Sequence, residues 1–275
     1  GKTWTDINGS RPVFNAYDDE VWLRDPYLHR VTHNGKTKFH LIHTWGWDHP
    51  ALFHWESDDL IHWTAANGGT RTDDGKIMLM DGHDGGPVSP NAWAPEFTYD
   101  GQTGTFYLYW SSRIGDRQVH HYCTTKDWLT FSTPAVYFDP GFTAIDMTIL
   151  KEGDTYYAYY KDERNGEKTI RCATSKSLDP RVQRFEGSTP LLPSRYIEVE
   201  GPEVFPAMGG KGWFLYFDKF NGDRGVSYTG CTDPSQHKWY PIPDDEIRNP
   251  TEVKHGSVEI ISTAELEKLL EHFKS

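Results

Sequence analysis

The sequence predicts an all-β fold, a five-bladed β-propeller with a short C-terminal helix, and three recurring features carry that prediction. Aromatic, alternating segments recur at 39–45 (FHLIHTW), 106–110 (FYLYW), 156–160 (YYAYY) and 213–217 (WFLYF). Before each lies an apolar stretch and a tight-turn pair, Asn34-Gly35, Asp100-Gly101, Gly153-Asp154 and Gly209-Gly210, the residue types that short hairpins require. After each comes a second turn, at 46–48, 115–116, 165–166 and 221–222, then a third strand running into a polar turn and an aromatic: Trp63, Phe131, Phe185 and Trp239. Four strands with one internal grammar, repeated every few tens of residues, make a propeller blade.

Four such units occupy residues 21–245, and the stretch 256–261 is expected to pair with the N-terminal segment 12–16 as a fifth blade that closes the ring. The longer first spacing is accounted for by 67–90, a Gly-, Asp- and Pro-rich insertion that reads as a loop. Ser262 and Glu265 then form a capping box, and Leu266, Leu269, Leu270 and Phe273 follow helical spacing, so a packing helix is expected at 262–273. The whole chain, 1–275, reads as a single domain acting as a monomer.

Composition narrows the function. With 28 Lys and Arg against 40 Asp and Glu, the net charge of −12 repels phosphate backbones and anionic lipid, which argues against nucleic acid and membrane surfaces as partners. Nothing in the chain approaches the roughly 18 consecutive apolar residues of a membrane span, and 1–10 lacks the pattern of a signal peptide. Aromatics make up 15% of the chain, with 11 Trp and 15 Tyr, and supply flat faces on which sugars stack. The odd number of cysteines, three, argues against a disulfide framework. Cys123, Cys172 and Cys231 sit in similar local settings and are expected as core fillers at equivalent strand positions. His40 with His43, and the adjacent His120 and His121, lack the spacing of a zinc motif and are expected at the surface or rim.

Propeller blades begin with their innermost strand, so residues at the starts of those strands converge on one end of the axis. Those starts carry Asp25 in Arg24-Asp25-Pro26, Glu96 in Trp93-Ala94-Pro95-Glu96, Asp146 in Ile145-Asp146-Met147, Glu200 in Glu200-Gly201-Pro202, and His255 in His255-Gly256. Any one of these acids reads equally well as a turn residue. Together they need another reason, because like charges in one cavity raise each other's pKa and cost stability. Glycoside hydrolysis requires one protonated and one ionised carboxyl group, which such a cluster supplies. Glu203 is expected on the face opposite Glu200, three residues along the same strand.

The order and blade placement of Arg24-Asp25-Pro26, Asp146 and Glu200-Gly201-Pro202, with the Asn91 to Glu96 segment and His255-Gly256, resemble glycoside hydrolase family 43, whose fold is a five-bladed propeller. The resemblance implies that Asp25 is the general base activating water, Glu200 the general acid, and Asp146 the third carboxylate that tunes the acid and orients it. It also implies an inverting mechanism, a structural part for Glu96, and a place for His255 on the axis, where it helps hold water or a non-catalytic structural calcium; no cofactor is required. Met147-Thr148 follow Asp146 where many relatives have Pro, so its match rests on blade position. Trp93, Trp45, Arg24, Arg224, Asp162 and His255 are the expected substrate contacts, with Ser111, Lys161 and Asp218 near the rim. Within the family, α-L-arabinofuranosidase is preferred over β-xylosidase, endo-arabinanase and exo-galactanase, because 67–90 with Trp45 and Trp47 would wall one side of the cavity. Polymeric plant-type substrates would put the protein in a secreted or periplasmic setting. The retaining fructan-cleaving propellers fit less well, since their Trp-x-Asn-Asp-Pro and Glu-Cys segments are missing. A sugar-binding propeller without catalysis would need no acid, base and modulator set. A Trp-Asp-repeat propeller would need Gly-His and Trp-Asp signatures in each blade.

Overall fold

Residues 2–14, 23–192, 198–220, 225–249 and 253–273 are described by the computed structural model. Alternating aromatic and β-branched residues form the strands, and the Gly- and Asn-containing pairs turn the chain back, so consecutive strands pair antiparallel. The first sheet holds β1 (Leu23–His33), β2 (Lys36–Trp45), β3 (Ala51–Ser57) and β4 (Lys76–Met78), and the second β5 (Trp93–Asp100), β6 (Thr105–Ile114), β7 (Arg117–Thr125) and β8 (Ala135–Phe138). The third holds β9 (Ala144–Glu152), β10 (Thr155–Asp162), β11 (Ile170–Ser175) and β12 (Glu186–Pro190). The fourth holds β13 (Val199–Pro206), β14 (Trp213–Lys219), β15 (Gly225–Cys231) and β16 (Tyr240–Pro241). First strands touch in sequence, β1 with β5, β5 with β9 and β9 with β13, so each is the innermost strand of its blade.

Large side chains fill the wedges between blades. Phe97, Trp110 and Trp128 of the second blade pack on Ile42 and Leu52 of the first, and Tyr109 and Tyr137 pack on Met147 and Tyr160 of the third. Leu150 and Tyr159 of the third blade pack on Leu215, Phe217 and Trp239 of the fourth. The polar turns after the third strands also repeat: Ser57 Oγ accepts the N–H groups of Asp59 and Leu60 while Asp59 Oδ1 accepts those of Ile61 and His62, and Thr125 with Asp127 does the same one blade later. These turns hold Leu60 and Trp128 at positive φ, 66° and 58°, and bury both side chains. The C-terminal helix α1 (Thr263–His272) carries the expected capping box between Ser262 and Glu265 and sets Leu269 against Phe39 and Leu60 of the first blade.

Several expectations change. Among the described residues there are four sheets, and 256–261 forms no strand; positions 15 and 16 of the expected partner segment lie outside the described residues. The stretch is tied mainly through side chains: Ser257 Oγ and Glu259 Oε2 accept the N–H groups of Leu28 and Arg30 in β1 at 2.6 and 2.9 Å, and Val258 N–H donates to Glu203 Oε1 at 3.2 Å. Backbone groups satisfied by side chains are not free to build a ladder. The insertion 67–90 is not only loop, because its short apolar run supplies β4, with Ile77, Leu79 and Met80 buried. All three cysteines are buried and free, but they sit opposite Leu108, Tyr159 and Trp213, at different depths in their blades. His40, His43, His120 and His121 are buried, not at the surface or rim, because their rings pack in the aromatic wedges. Burial pushes His40 and His120 down to about 3 and His43 to about 4, so these rings are neutral.

One irregularity recurs at the start of all four innermost strands. Arg24 pairs with Thr44 and Tyr27 with Ile42, so Asp25 and Pro26 together oppose one residue; Trp93 to Glu96, Ile145 to Thr148 and Glu200 to Glu203 repeat this bulge. The first bulged residue has positive φ each time: Asp25 48°, Ala94 45°, Asp146 54° and Gly201 56°. Just past the bulge, Tyr27, Glu96, Thr148 and Glu203 occupy equivalent positions around the axis, with both glutamates buried. Tyr109 Oη donates to Glu96 at 3.2 Å and Thr148 Oγ1 to Glu203 at 3.4 Å. Burial and the charge of Glu203 push Glu96 well above the ordinary carboxylate range, and burial pushes Glu203 up to about 8.

A carboxyl group raised in this way binds its proton more tightly folded than unfolded, so its stabilisation is complete below pH 4.5 and is lost as pH rises through about 8. Urea titrations are therefore expected to give a lower unfolding free energy at pH 8.5 than at pH 5, and a flatter dependence in Glu203→Gln. In the same assay Phe97→Ala, a deletion at a fully buried wedge residue, is expected to cost about 3–5 kcal/mol. Ser262→Ala, which removes only the helix cap, costs about 1 kcal/mol.

Candidate active site

The four bulges open on a cavity of about 550 Å³ at one end of the axis, lined by Arg24, Asp25, Trp47, Trp93, Asp146, Glu163, Glu200, Asp218, Lys254 and His255. Bulges place these groups because an extra residue re-aims the side chains at the strand's start. Asp25 and Asp146 are themselves the positive-φ residues of their blades, a conformation Asp tolerates better than most. Glu200 stands one position earlier, level with Arg24, Trp93 and Ile145.

The second strands contribute one equivalent residue each: Thr44, Ser111, Lys161 and Asp218. Each reaches the next sector of the ring. Thr44 Oγ1 accepts Ala94 N–H at 2.8 Å and donates to Asp25 Oδ2 at 3.2 Å, while Ser111 Oγ accepts Asp146 N–H at 3.2 Å. Lys161 Nζ donates to Glu200 Oε2 at 2.7 Å, and Asp218 Oδ2 accepts His255 N–H at 2.7 Å. Asp146 Oδ2 in turn accepts Gly201 N–H at 3.0 Å, which fixes the backbone beside Glu200. Gly201 is the residue this contact allows, since a Cβ there would stand 2.8 Å from His255 Cγ.

Charge is concentrated here. His255 Nδ1 lies 3.5 Å from Asp25 Oδ1 and 4.0 Å from Asp146 Oδ2. Burial lowers the His255 pKa, but the charges of Asp146, Asp25, Asp218 and Glu200 outweigh it, so the net shift is upward. Burial raises Asp146 and Asp218 to about 6 despite the opposing charge of His255. Lys161, itself buried, sits between Glu163 Oε1 at 2.6 Å and Glu200 Oε2 at 2.7 Å; burial disfavours its charge, yet Asp146, Glu200 and Glu163 hold its pKa above the ordinary value. The cavity thus combines carboxyl groups in different environments, which is what divided acid and base work needs. Calcium takes six to eight oxygen ligands. His255 offers a ring nitrogen and not an oxygen, so it does not suit calcium as a direct ligand.

Of the expected contacts, Arg24, Trp93 and His255 line the cavity. The Arg24 guanidinium lies 3.5 Å above the Trp47 ring, and Trp93 Nε1 donates to the Trp47 carbonyl at 2.6 Å, so these three build one wall. Trp45 is turned away, stacked on His49 at 3.9 Å. Asp162 is fully buried beneath Arg164 and Arg171, whose nitrogens approach it to 2.7 and 2.6 Å, so its charge is spent on a structural clamp. Glu96 lies deeper than the cavity ring, beyond its bulge. Glu203 is not opposite Glu200: the bulge makes three residues count as two, so both face the axis. Arg224 lies outside the described residues. Among the described residues none of 67–90 lines the cavity, so the wall belongs to Trp47 and Trp93. Sequence reasoning missed Thr44, Glu163 and Lys254. Thr44 was recoverable as the position equivalent to Ser111, whereas Glu163 and Lys254 lie in irregular chain with no repeat to mark them.

Comparison with known proteins adds a name to this geometry. The chain is 27% identical over 249 aligned residues to an α-L-arabinofuranosidase of Bifidobacterium longum subsp. longum, an alignment covering 74% of this chain and 22% of that protein. The chain therefore spans less than a quarter of the length of this curated relative. Among solved structures, a thermostable family-43 glycoside hydrolase superposes with a TM-score of 0.58 at 20% identity, covering 80% of this chain and 72% of its own. The α-L-arabinofuranosidase of Podospora anserina, solved with cellotriose, gives 0.59 at 13% identity, covering 91% and 78%. At these identities the structural likeness speaks for the propeller fold. The sequence profile of the family described as a probable glycosyl hydrolase domain matches residues 1–267, and the chain belongs to that family, within the glycoside hydrolase family 43 group.

Proposed function

We propose that the cavity hydrolyses a terminal glycosidic bond with inversion, removing α-L-arabinofuranosyl residues from plant-type polysaccharides or oligosaccharides outside the cytoplasm. The observation that carries this reading is the meeting of Asp25, Asp146 and Glu200 in one cavity, each held by a specific polar partner. In the reaction Asp25 takes a proton from water as the water oxygen bonds to the anomeric carbon, and Glu200 protonates the departing glycosidic oxygen. Lys161 occupies Oε2 of Glu200, which leaves Oε1 for the leaving group. Asp146 tunes and orients this acid through its charge and its bond to Gly201 N–H.

Choice of sugar rests on the named relative, whose alignment takes in most of this chain, and on a cavity whose volume lies in the range for a small ligand. Trp47 and Trp93, edge to face at 5.8 Å, offer apolar surface for a sugar ring beside the carboxylates. β-Xylosyl, arabinan-backbone and β-galactosyl substrates are the alternatives. The five-bladed reading of the ring is supported by 253–261, which fills the sector between β14 and β1, and by Trp4 N–H and Arg248 N–H, which bond to the carbonyls of Arg248 and Lys2 outside it. We take these pieces as a reduced fifth blade.

Hydrolysis of aryl α-L-arabinofuranoside, β-xyloside and β-galactoside by the wild type is expected to single out the arabinofuranoside. Asp25→Asn and Glu200→Gln are each expected to lower kcat/KM by about 10²–10⁴ with unchanged thermal stability. Full activity in either variant removes that residue from the chemistry, and a wild type that binds glycans without turnover makes the propeller a sugar-binding module.

A further inference from the structure

Two strands of the first blade bring together a second group of chemically able side chains. In the ladder between β2 and β3, His40 stands opposite Glu56 and Ile42 opposite His54, so the two histidines and the glutamate share one face. His40 Nδ1 is 3.0 Å from His54 Nε2 and 3.8 Å from Glu56 Oε1, and the three donor atoms lie within 4.8 Å of one another. The site is separate from the cavity, since His40 lies four residues, roughly 14 Å of strand, from Thr44.

The surroundings suit a metal ion. Both rings are buried among aromatic side chains. Trp128 stacks on His54 at 3.7 Å and 4° and on His40 at 5.4 Å, and Phe97 and Phe106 close the edge of His40. Lys38 holds Glu56 Oε2 at 2.7 Å, so Oε1 is the oxygen turned to the histidines. His54 also lines a cleft of about 190 Å³ beside Asn67, Asp74 and Lys76, which gives an ion a way in. Two imidazoles and one carboxylate are a donor set for zinc, whose bonds of about 2.0–2.2 Å put neighbouring ligand atoms roughly 3–4 Å apart.

We propose that His40, His54 and Glu56 bind one zinc-type divalent cation, which ties β2 to β3 beneath Trp128. In the metal-free protein one ring donates its N–H to the other. On binding, that proton moves to the far nitrogen of the same ring, so both facing nitrogens bond the ion and no proton is lost.

The test uses the full chain freed of metal by chelation and titrated with Zn²⁺, with the ring ¹⁵N resonances of His40 and His54 followed by NMR. One ion per chain is expected, with large shifts of His40 Nδ1 and His54 Nε2. Affinity is expected to fall at least tenfold in Glu56→Gln, whose fold is checked by circular dichroism, and to be unchanged in His62→Gln and His83→Gln, which remove exposed histidines. Resonances of His40 and His54 that stay fixed at saturating Zn²⁺ overturn the proposal, whether zinc fails to bind or binds elsewhere. Wild-type affinity in Glu56→Gln overturns the three-ligand site.

Discussion

The bulge at the start of each innermost strand is the constraint on which the rest of the structure depends. Inserting one residue against the second strand forces a positive φ at Asp25, Ala94, Asp146 and Gly201. For the three that carry a Cβ this costs on the order of 1 kcal/mol or more each. That strain is held by bonds running from blade to blade: Thr44 to Ala94, Ser111 to Asp146, and Asp146 to Gly201. The same bonds that join consecutive blades therefore fix the positions of the carboxylates.

Electrostatics follows from that geometry. Among the described residues five carboxyl groups line one small cavity, and the structure answers them with His255 between Asp25 and Asp146, Lys161 between Glu163 and Glu200, and Arg24 and Lys254 at the wall. Burial moves Asp146 and Asp218 in the cavity up to about 6, and deeper on the axis it pushes Glu203 further, to about 8, with Glu96 well above the ordinary range. Charge compensation and proton uptake are two solutions to the same crowding.

Much of this was legible in the sequence, for identifiable reasons. The second strands read clearly because 39–45, 106–110, 156–160 and 213–217 alternate aromatic residues between unmistakable turns, and all four lie within β2, β6, β10 and β14. Asp25, Asp146 and Glu200 converge because blade order brings strand starts together, and His255 joins them from irregular chain where a fifth first strand was expected. Bulges carry no composition signal of their own, so strict alternation misplaced Glu203 and treated Glu96 as level with Asp25. Asp162 looked like a rim acid because its arginine partners, Arg164 and Arg171, come from the turn and strand beyond it. His40 and His54 escaped notice as a pair because they meet across strands, where spacing along the chain says nothing. The last sector was misjudged because 256–261 has a strand's apolar residues, yet Ser257 and Glu259 use their side chains where a ladder would use backbone.

The central claim is that water held by Asp25 attacks the sugar directly while Glu200 releases the leaving group. The most direct measurement is ¹H NMR of the first-formed sugar during rapid hydrolysis of an aryl α-L-arabinofuranoside, before mutarotation mixes the anomers. The account predicts β-L-arabinofuranose as the initial product. Initial α-anomer would contradict it, because retention requires a covalent glycosyl intermediate and a nucleophile where this structure is read as having a base.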